Sequence, residues 1–440
     1  MERILKRFVD VRKREVEPAL LFFLFWFLVI VVFWVLRPMK VGLFIDPLGD
    51  RGAELELYAK LGNIGVAIVA VALFSWLYNR LGSKRLIPAL CAIFLAGLVW
   101  FAITLPSPAA PGAPKYWAFY LFGDAWSTVW VTTFWAFLNE MTSTDQSKRL
   151  YGLIGGGGII GGLVGATVVA TTIEDLGIGT LIMGTAGATV ILGLIAFRIE
   201  TLARRDDIPI GRELAETRIV ASTDKRANAA LEGARLSFAS KYLFAIVMIV
   251  FLYEFASQIL DYLFKNELES VQGAEETSAF YANIGVIINT VSVITQFFLV
   301  SFIMRRFGIT TALLVLPAAM MISSGIYFAV PALWAGSLLT ISDNSLNYSI
   351  NQTSRETLYV PTEADVKYKA RAFANMFVQR FGKGIAILMA LGLTAVPIRF
   401  LTFLAVGVIV IWAGFAWYAG RRFDEQTSEE PEPTVRLRTA

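Results

Sequence analysis

Runs of about twenty apolar residues recur along this chain, and no other feature limits its fold so sharply. Twelve are recognisable, near 18–40, 58–79, 85–105, 116–140, 151–173, 178–198, 242–265, 279–303, 309–330, 332–353, 369–394 and 397–420. About twenty residues of helix cross a hydrocarbon core. Lipid cannot satisfy free backbone N–H and C=O groups, so each crossing segment is expected to be helical. Composition agrees: 56% of the 440 residues are hydrophobic and 17% charged, with 33 Phe and 11 Trp. The predicted class is an all-α integral membrane protein with about twelve transmembrane helices.

Lys and Arg collect in the cytoplasmic loops of membrane proteins. Here MERILKRFVDVRKR at the N-terminus, the Arg80 to Arg85 turn, Lys148-Arg149, Arg305-Arg306, the Lys367 to Arg371 stretch and Arg421-Arg422 all fall on one side. The alternate loops hold Asp46, Asp50, Glu54, Glu56, Glu174, Asp175, Glu267, Glu269, Glu275 and Glu276. Both termini are therefore expected inside the cell. The same asymmetry accounts for the net charge of +4, so nucleic acid is not an expected partner. The first apolar run is too long for a signal-peptide core and lacks a small-residue cleavage site, so it reads as a retained span.

Cys91 is the single cysteine and histidine is absent, which removes an intramolecular disulfide, the commonest metal ligand and the usual neutral-pH proton relay. Proton coupling would fall to carboxylates. Gly155 to Gly158, with Gly161, Gly162 and Gly165, lie inside a span without the Lys-Ser or Lys-Thr of a phosphate loop, so close helix packing is their expected role. No metal or cofactor is expected. No nucleophile–base pair or large external domain argues for an enzyme.

The chain also repeats. Arg80-Leu-Gly follows the second span and Arg306-Phe-Gly the eighth, 226 residues later; Lys148-Arg-Leu-Tyr precedes the fifth and Lys369-Ala-Arg-Ala the eleventh, 221 residues later. Two pseudo-symmetric six-helix halves fit both offsets, at 1–198 and 242–422, joined by a cytoplasmic linker at 199–241. The tail 423–440, rich in Glu, Pro and Thr, has the composition of a disordered segment.

Two of the spans carry polar residues as stripes. Glu254, Gln258, Asp261 and Lys265 follow one another at i, i+4, i+7 and i+11 in the seventh span, and Asn344, Asn347, Asn351 and Arg355 at i, i+3, i+7 and i+11 in the tenth, each set on one helical face. Span 1 ends Leu36-Arg37-Pro38-Met39-Lys40, and span 4 carries Asp124, Ser127, Thr128 and Thr132. An ionisable group at bilayer depth costs roughly 2.5–3.5 kcal/mol on insertion scales, so it faces a protein interior or a watery cavity and marks a candidate pathway. The competing reading is an ion pair that only joins two helices. Lys40 has a further one, since a lysine near a span end can reach the interface.

Two six-helix halves with basic Arg-x-Gly turns resemble the major facilitator architecture, which implies a substrate site lined by spans 1, 4, 7 and 10. The ordered motifs resemble, more narrowly, the bacterial and plastid nucleotide transporter family, whose members exchange ATP for ADP. Arg37-Pro-Met-Lys40, Gly52-Ala-Glu54 and Lys60-Leu61 are similar to the family's run after its first span. Asp124-Ala-Trp126, Phe134-Trp-Ala-Phe-Leu-Asn139, Thr142, Lys148-Arg149 and Tyr151 are similar to its fourth and fifth spans. Gln258-Ile-Leu-Asp261-Tyr-Leu-Phe-Lys265 resembles its seventh, and Asn347-Tyr348-Ser349, Thr353-Ser-Arg355-Glu356 and Tyr359-Val-Pro361 resemble its tenth span and the stretch after it. The family's two important lysines and two glutamates fall at Lys40, Asp124, Asp261 and Asn347, so one lysine has become neutral here, and Val41 replaces the usual aspartate.

The resemblance implies a secondary transporter, not an enzyme, that exchanges nucleotides or a related anionic phosphorylated solute by alternating access in the lipid bilayer; a monomer is expected. Lys40, with Lys265 and Arg380, would bind phosphate oxygens; Asp124 and Asp261 would pair with those cations in the empty carrier. Arg37, Glu254, Asn347, Asn351, Arg355 and Lys383 complete the expected site, Arg355, Arg380 and Lys383 being able to replace the missing cation. The alternative is a proton-coupled symporter or exporter of another small organic solute, with the proton on Glu254, Asp261 or Asp124.

Overall fold

All twelve expected intervals are helical apart from residues at their ends. The computed structural model describes residues 15–81, 83–107, 113–142, 144–205, 232–393 and 396–428. The basic segment 1–14, most of the expected linker and most of the expected tail lie outside them. The helices are α1 (Val16–Ile45), α2 (Gly52–Leu81), α3 (Ser83–Thr104), α4 (Pro114–Met141), α5 (Thr144–Arg205), α6 (Lys241–Leu268), α7 (Ala274–Ile294), α8 (Val300–Ala329), α9 (Leu333–Leu346), α10 (Gln352–Thr357), α11 (Ala364–Phe373), α12 (Gln379–Gly392) and α13 (Arg399–Ser428). Seven continuous helical stretches among the described residues are long and apolar enough to cross a membrane. The protein is an all-α integral membrane protein.

Two of these stretches exceed any bilayer. Arg149–Leu202 and Ala274–Ala329 run 54 and 56 residues, and each bends at a glycine with positive φ, Gly177 at 76° and Gly308 at 80°. A side chain would strain that backbone, so glycine lets one span turn into the next without a loop. Three five-residue π-helical turns, Thr295–Leu299, Asn347–Asn351 and Ala374–Val378, interrupt the later helices.

The described residues fall into two compact units, Met1–Arg218 with Lys265–Thr290, and Ile219–Phe264 with Val291–Ala440. In the first, α1 packs on α5 and α4, and α3 on α5. Phe22, Phe25, Trp126, Trp130 and Phe134 are buried at its centre, and Trp26 stacks on Phe134 with ring centroids 4.4 Å apart. Much of the expected glycine packing is present: α5 lays Gly157, Gly158, Gly161 and Gly165 against α1, so closely that a methyl on Gly165 would sit 2.6 Å from the Val31 carbonyl oxygen, whereas one on Gly155 would meet nothing within 4 Å.

Acids assigned to the outer loops secure helix ends in this unit. Asp46 accepts from the Gly273 N–H at 2.7 Å, Glu269 from the Ala53 N–H at 2.6 Å and Glu275 from the Ile178 N–H at 3.3 Å. Near the other ends of the helices, Arg149 holds Glu15 through two bonds of 2.8 and 2.9 Å, and the Tyr151 hydroxyl joins Asn139 and Thr142. In the second unit α8 packs on α13 and α9, and Trp412, Tyr327 and Met320 are fully buried. Lys369 pairs with Glu232 at 2.6 Å, Arg371 pairs with Glu356, and the Tyr242 hydroxyl donates to the Leu358 carbonyl at 2.6 Å.

The α1–α5 seam yields a direct test. Gly165→Ala forces a methyl into backbone and should destabilise the folded protein by about 1–3 kcal/mol, as overpacking does. Gly184→Ala, where a methyl meets nothing within 4 Å, should be neutral or stabilising, since alanine is the better helix former. Thermal unfolding of the purified variants in detergent checks both.

Candidate functional site

In the first unit, the end of α1, the start of α2, the middle of α4 and the end of α6 supply one charged network. The Lys40 ammonium donates to the Asp124 carboxylate, and the same carboxylate accepts from the Asn63 amide through its other oxygen. The Lys40 side chain is 12% exposed and that of Asp124 29%, so the pair is open to solvent on one side. Lys40 also lies 4.5 Å from the Tyr120 ring centroid. Lys40 is thus part of a polar network.

Glu56 is the second centre. Its Oε1 accepts from Lys265 at 2.5 Å and from the Tyr120 hydroxyl at 2.9 Å, and Lys60 lies 3.3 Å from Oε2. Glu56 is 1% exposed and Lys265 2%. Breaking such a pair by removing one partner leaves a buried charge uncompensated. The Arg37 guanidinium lies 5.1 Å from the Trp34 ring centroid and 5.9 Å from that of Tyr281, and Lys265 shares the Tyr281 face at 5.6 Å. Four cations and two carboxylates are therefore linked through Tyr120 and Tyr281.

Sequence reasoning placed Arg37, Lys40, Asp124 and Lys265 in the site, and the structure brings all four into this network. It missed Glu56, which was grouped with the acids of an outer loop. That reading is corrected: Glu56 lies inside α2, buried. The signal was present in its spacing, because Glu56 and Lys60 stand at i and i+4, where opposite charges meet on a helix.

The remaining candidates belong to the second unit. Glu254 is buried and lies 3.3 Å from Lys383. Asp261 is half-buried, and Arg380 is exposed on α12. Asn351 donates to Asn347 at 2.9 Å within the π turn. Arg355 is buried beyond it, and its Nη1 has no hydrogen-bond partner among the described residues. The stripe from Asn344 to Arg355 assumed an unbroken 3.6-residue period. The π turn widens the helix at Asn347, so these four side chains do not continue as one straight row.

A further cluster escaped the site prediction although its residues lie in the same spans. The Ser257 hydroxyl donates to Oδ2 of Asp343, which is 3% exposed. Among the described residues no group of His, Cys, Asp and Glu is arranged to hold a metal ion.

Comparison with known proteins fits this architecture. ADP,ATP carrier protein 1 of Chlamydia trachomatis is 23% identical over 91% of this chain and 88% of its own length. ADP,ATP carrier protein 5 of Rickettsia typhi is 22% identical over 88% of this chain and 89% of its own. Among solved structures, a bacterial homologue of the iron transporter ferroportin in an inward-facing state superposes with a TM-score of 0.61 at 10% identity, covering 93% of this chain and 100% of that one. The xylose transporter XylE from E. coli gives 0.53 at 15% identity, covering 92% and 97%. At such identities the likeness shows the fold alone, and that fold is the major-facilitator-like one expected. The model of the TLC ATP/ADP transporter family matches residues 1–110 and 112–335, more than half of the chain, and on that ground the protein belongs to the TLC ATP/ADP transporter family.

Proposed function

We propose that this protein is a secondary transporter that exchanges nucleotides of the ATP/ADP type, or a closely related anionic phosphorylated solute, by alternating access across a bacterial inner membrane, with both termini in the cytoplasm. The halves that move are 1–198 and 242–422. Family membership and the two carrier relatives support the cargo. The observation that carries the mechanism is the part-open Lys40–Asp124 pair beside a buried, lysine-rich network.

An arriving phosphate offers Lys40 the same chemistry as Asp124, an anionic oxygen acceptor. Substrate thus replaces one counter-charge by another, and no bare ammonium is left in a dry site at any stage. The empty carrier has to close the Lys40–Asp124 pair on itself before it returns, whereas the loaded carrier returns with the phosphate in place. Exchange is therefore the favoured mode. Lys265 and Arg37 set the positive potential of the site, while Glu56 holds Lys265 and Lys60 at fixed distance.

Proteoliposomes preloaded with ATP or ADP should accelerate uptake of labelled nucleotide, compared with preloaded amino acids, sugars or organic acids. Absence of acceleration across a wide concentration range would remove the exchange reading. Lys40→Gln should weaken nucleotide binding by about 1.5–3 kcal/mol, the range for a hydrogen bond to a charged group, with folding retained; ligand-induced thermal stabilisation reads the loss. Glu56→Gln should lower stability by about 3–5 kcal/mol, because it strands buried Lys265. Asn347→Lys restores the cation of the family pattern and should shift preference toward the triphosphate, measured as competition among mono-, di- and triphosphates.

A further inference from the structure

The second unit carries an acid that nucleotide exchange does not use. Asp343, near the end of α9, is 3% exposed. Its Oδ2 accepts from the Ser257 hydroxyl of α6, and its Oδ1 is buried with no hydrogen-bond partner among the described residues. The titratable groups facing it are Tyr253, Glu254 and Asp261 of α6 and Lys383 of α12, with Tyr348 beside Lys383. Lys383 reaches Glu254 at 3.3 Å, so this ammonium is already engaged by another carboxylate. Lys383 itself is exposed, and the buried cation on the helix line of Asp343, Arg355, stands twelve residues on, roughly 18 Å along the axis at the helical rise.

A carboxylate out of water needs a cation or several donors to remain charged, and otherwise the ordinary relief is to take up a proton. Among the described residues Asp343 has the neutral Ser257 hydroxyl as donor, a second oxygen without a partner and two carboxylates nearby. Ionisable groups so placed in transmembrane helices are the usual carriers of protons in pumps and transporters. We propose that Asp343 is a proton-binding site, and that through it the carrier couples net substrate uptake to a proton gradient in addition to exchanging one substrate for another. The carboxylate binds one proton at Oδ1 on the side of higher proton activity and releases the same proton on the other side. No other bond is made or broken. The proposal rests on the nucleotide reading for its cargo but not for its proton.

The test uses the full chain in proteoliposomes with the membrane potential clamped and labelled ATP as probe. For the parent, an acid-outside gradient should drive net uptake into vesicles free of internal nucleotide, and accumulation should rise by up to about tenfold per pH unit for one proton. Asp343→Asn should lose this response while ATP-for-ATP counterflow persists, which also shows that the variant is folded; Asp343→Glu should regain it. A second measurement needs no cargo. Infrared spectra of the purified parent at neutral pH should contain a protonated-carboxyl band that moves on isotopic labelling of aspartate and is missing from Asp343→Asn. A gradient response retained in Asp343→Asn, a parent that exchanges ATP yet ignores the gradient, or an absent or unchanged band would each overturn the proposal. If the parent moves no nucleotide at all, the exchange reading fails and the infrared result alone decides the proton site.

Discussion

A charge inside an apolar helix bundle has to be met by another group, and much of this protein's polar architecture follows from that requirement. Water is scarce there, so an isolated ion costs several kcal/mol even after relaxation. Glu56 illustrates the solution: one carboxylate accepts from Lys265 and the Tyr120 hydroxyl, with Lys60 against its other oxygen. That single group ties the start of α2 to α4 and to the end of α6. The aromatic faces of Tyr120 and Tyr281 complete the arrangement, giving Lys40, Arg37 and Lys265 electron-rich surfaces at 4.5 to 5.9 Å, a contribution of about 0.5–2 kcal/mol each.

The fold was legible because hydrophobic length and the need to satisfy the backbone leave few choices. Runs such as 18–40 and 242–265 have to be helices in lipid, and they are. The bends were less visible. Gly177 and Gly308 differ from their neighbours only in φ, and the many other glycines in the same spans mask them. The π turn at Asn347 was out of reach, since it depends on how the surrounding helices pack and has no spacing signature of its own. It is also why the polar face drawn from Asn344 to Arg355 fails to run straight.

The site was legible in part for a related reason. Lys40 and Asp124 stand out as charges inside apolar sequence, and the structure pairs them. Glu56 does not stand out, because Glu54 and Arg51 nearby make it look like one more acid at a loop. Burial decides its role, and burial is a property of the assembled helices. Asp343 sits in a span already rich in Asn and Ser, so one more polar residue did not stand out, and its burial, like that of Glu56, is a property of the assembled helices.

How completely each carboxylate is satisfied sorts the three by what they can do. Glu56 has three donors and almost no exposure; changing its partners means stranding two lysines, so it acts as a fixed post. Asp124 has two donors and a side exposed to solvent, so an incoming anion can take its place at Lys40 while Asn63 and water still serve it. Asp343 has the neutral Ser257 hydroxyl on one oxygen and, among the described residues, no donor on the other, so the smallest available cation, a proton, satisfies it at the least steric cost. The same amino-acid chemistry thus yields a structural tie, an exchangeable counter-ion and a proton acceptor. What separates them is the number and charge of the donors that the helices bring within reach, and the access of water to the oxygen that is left.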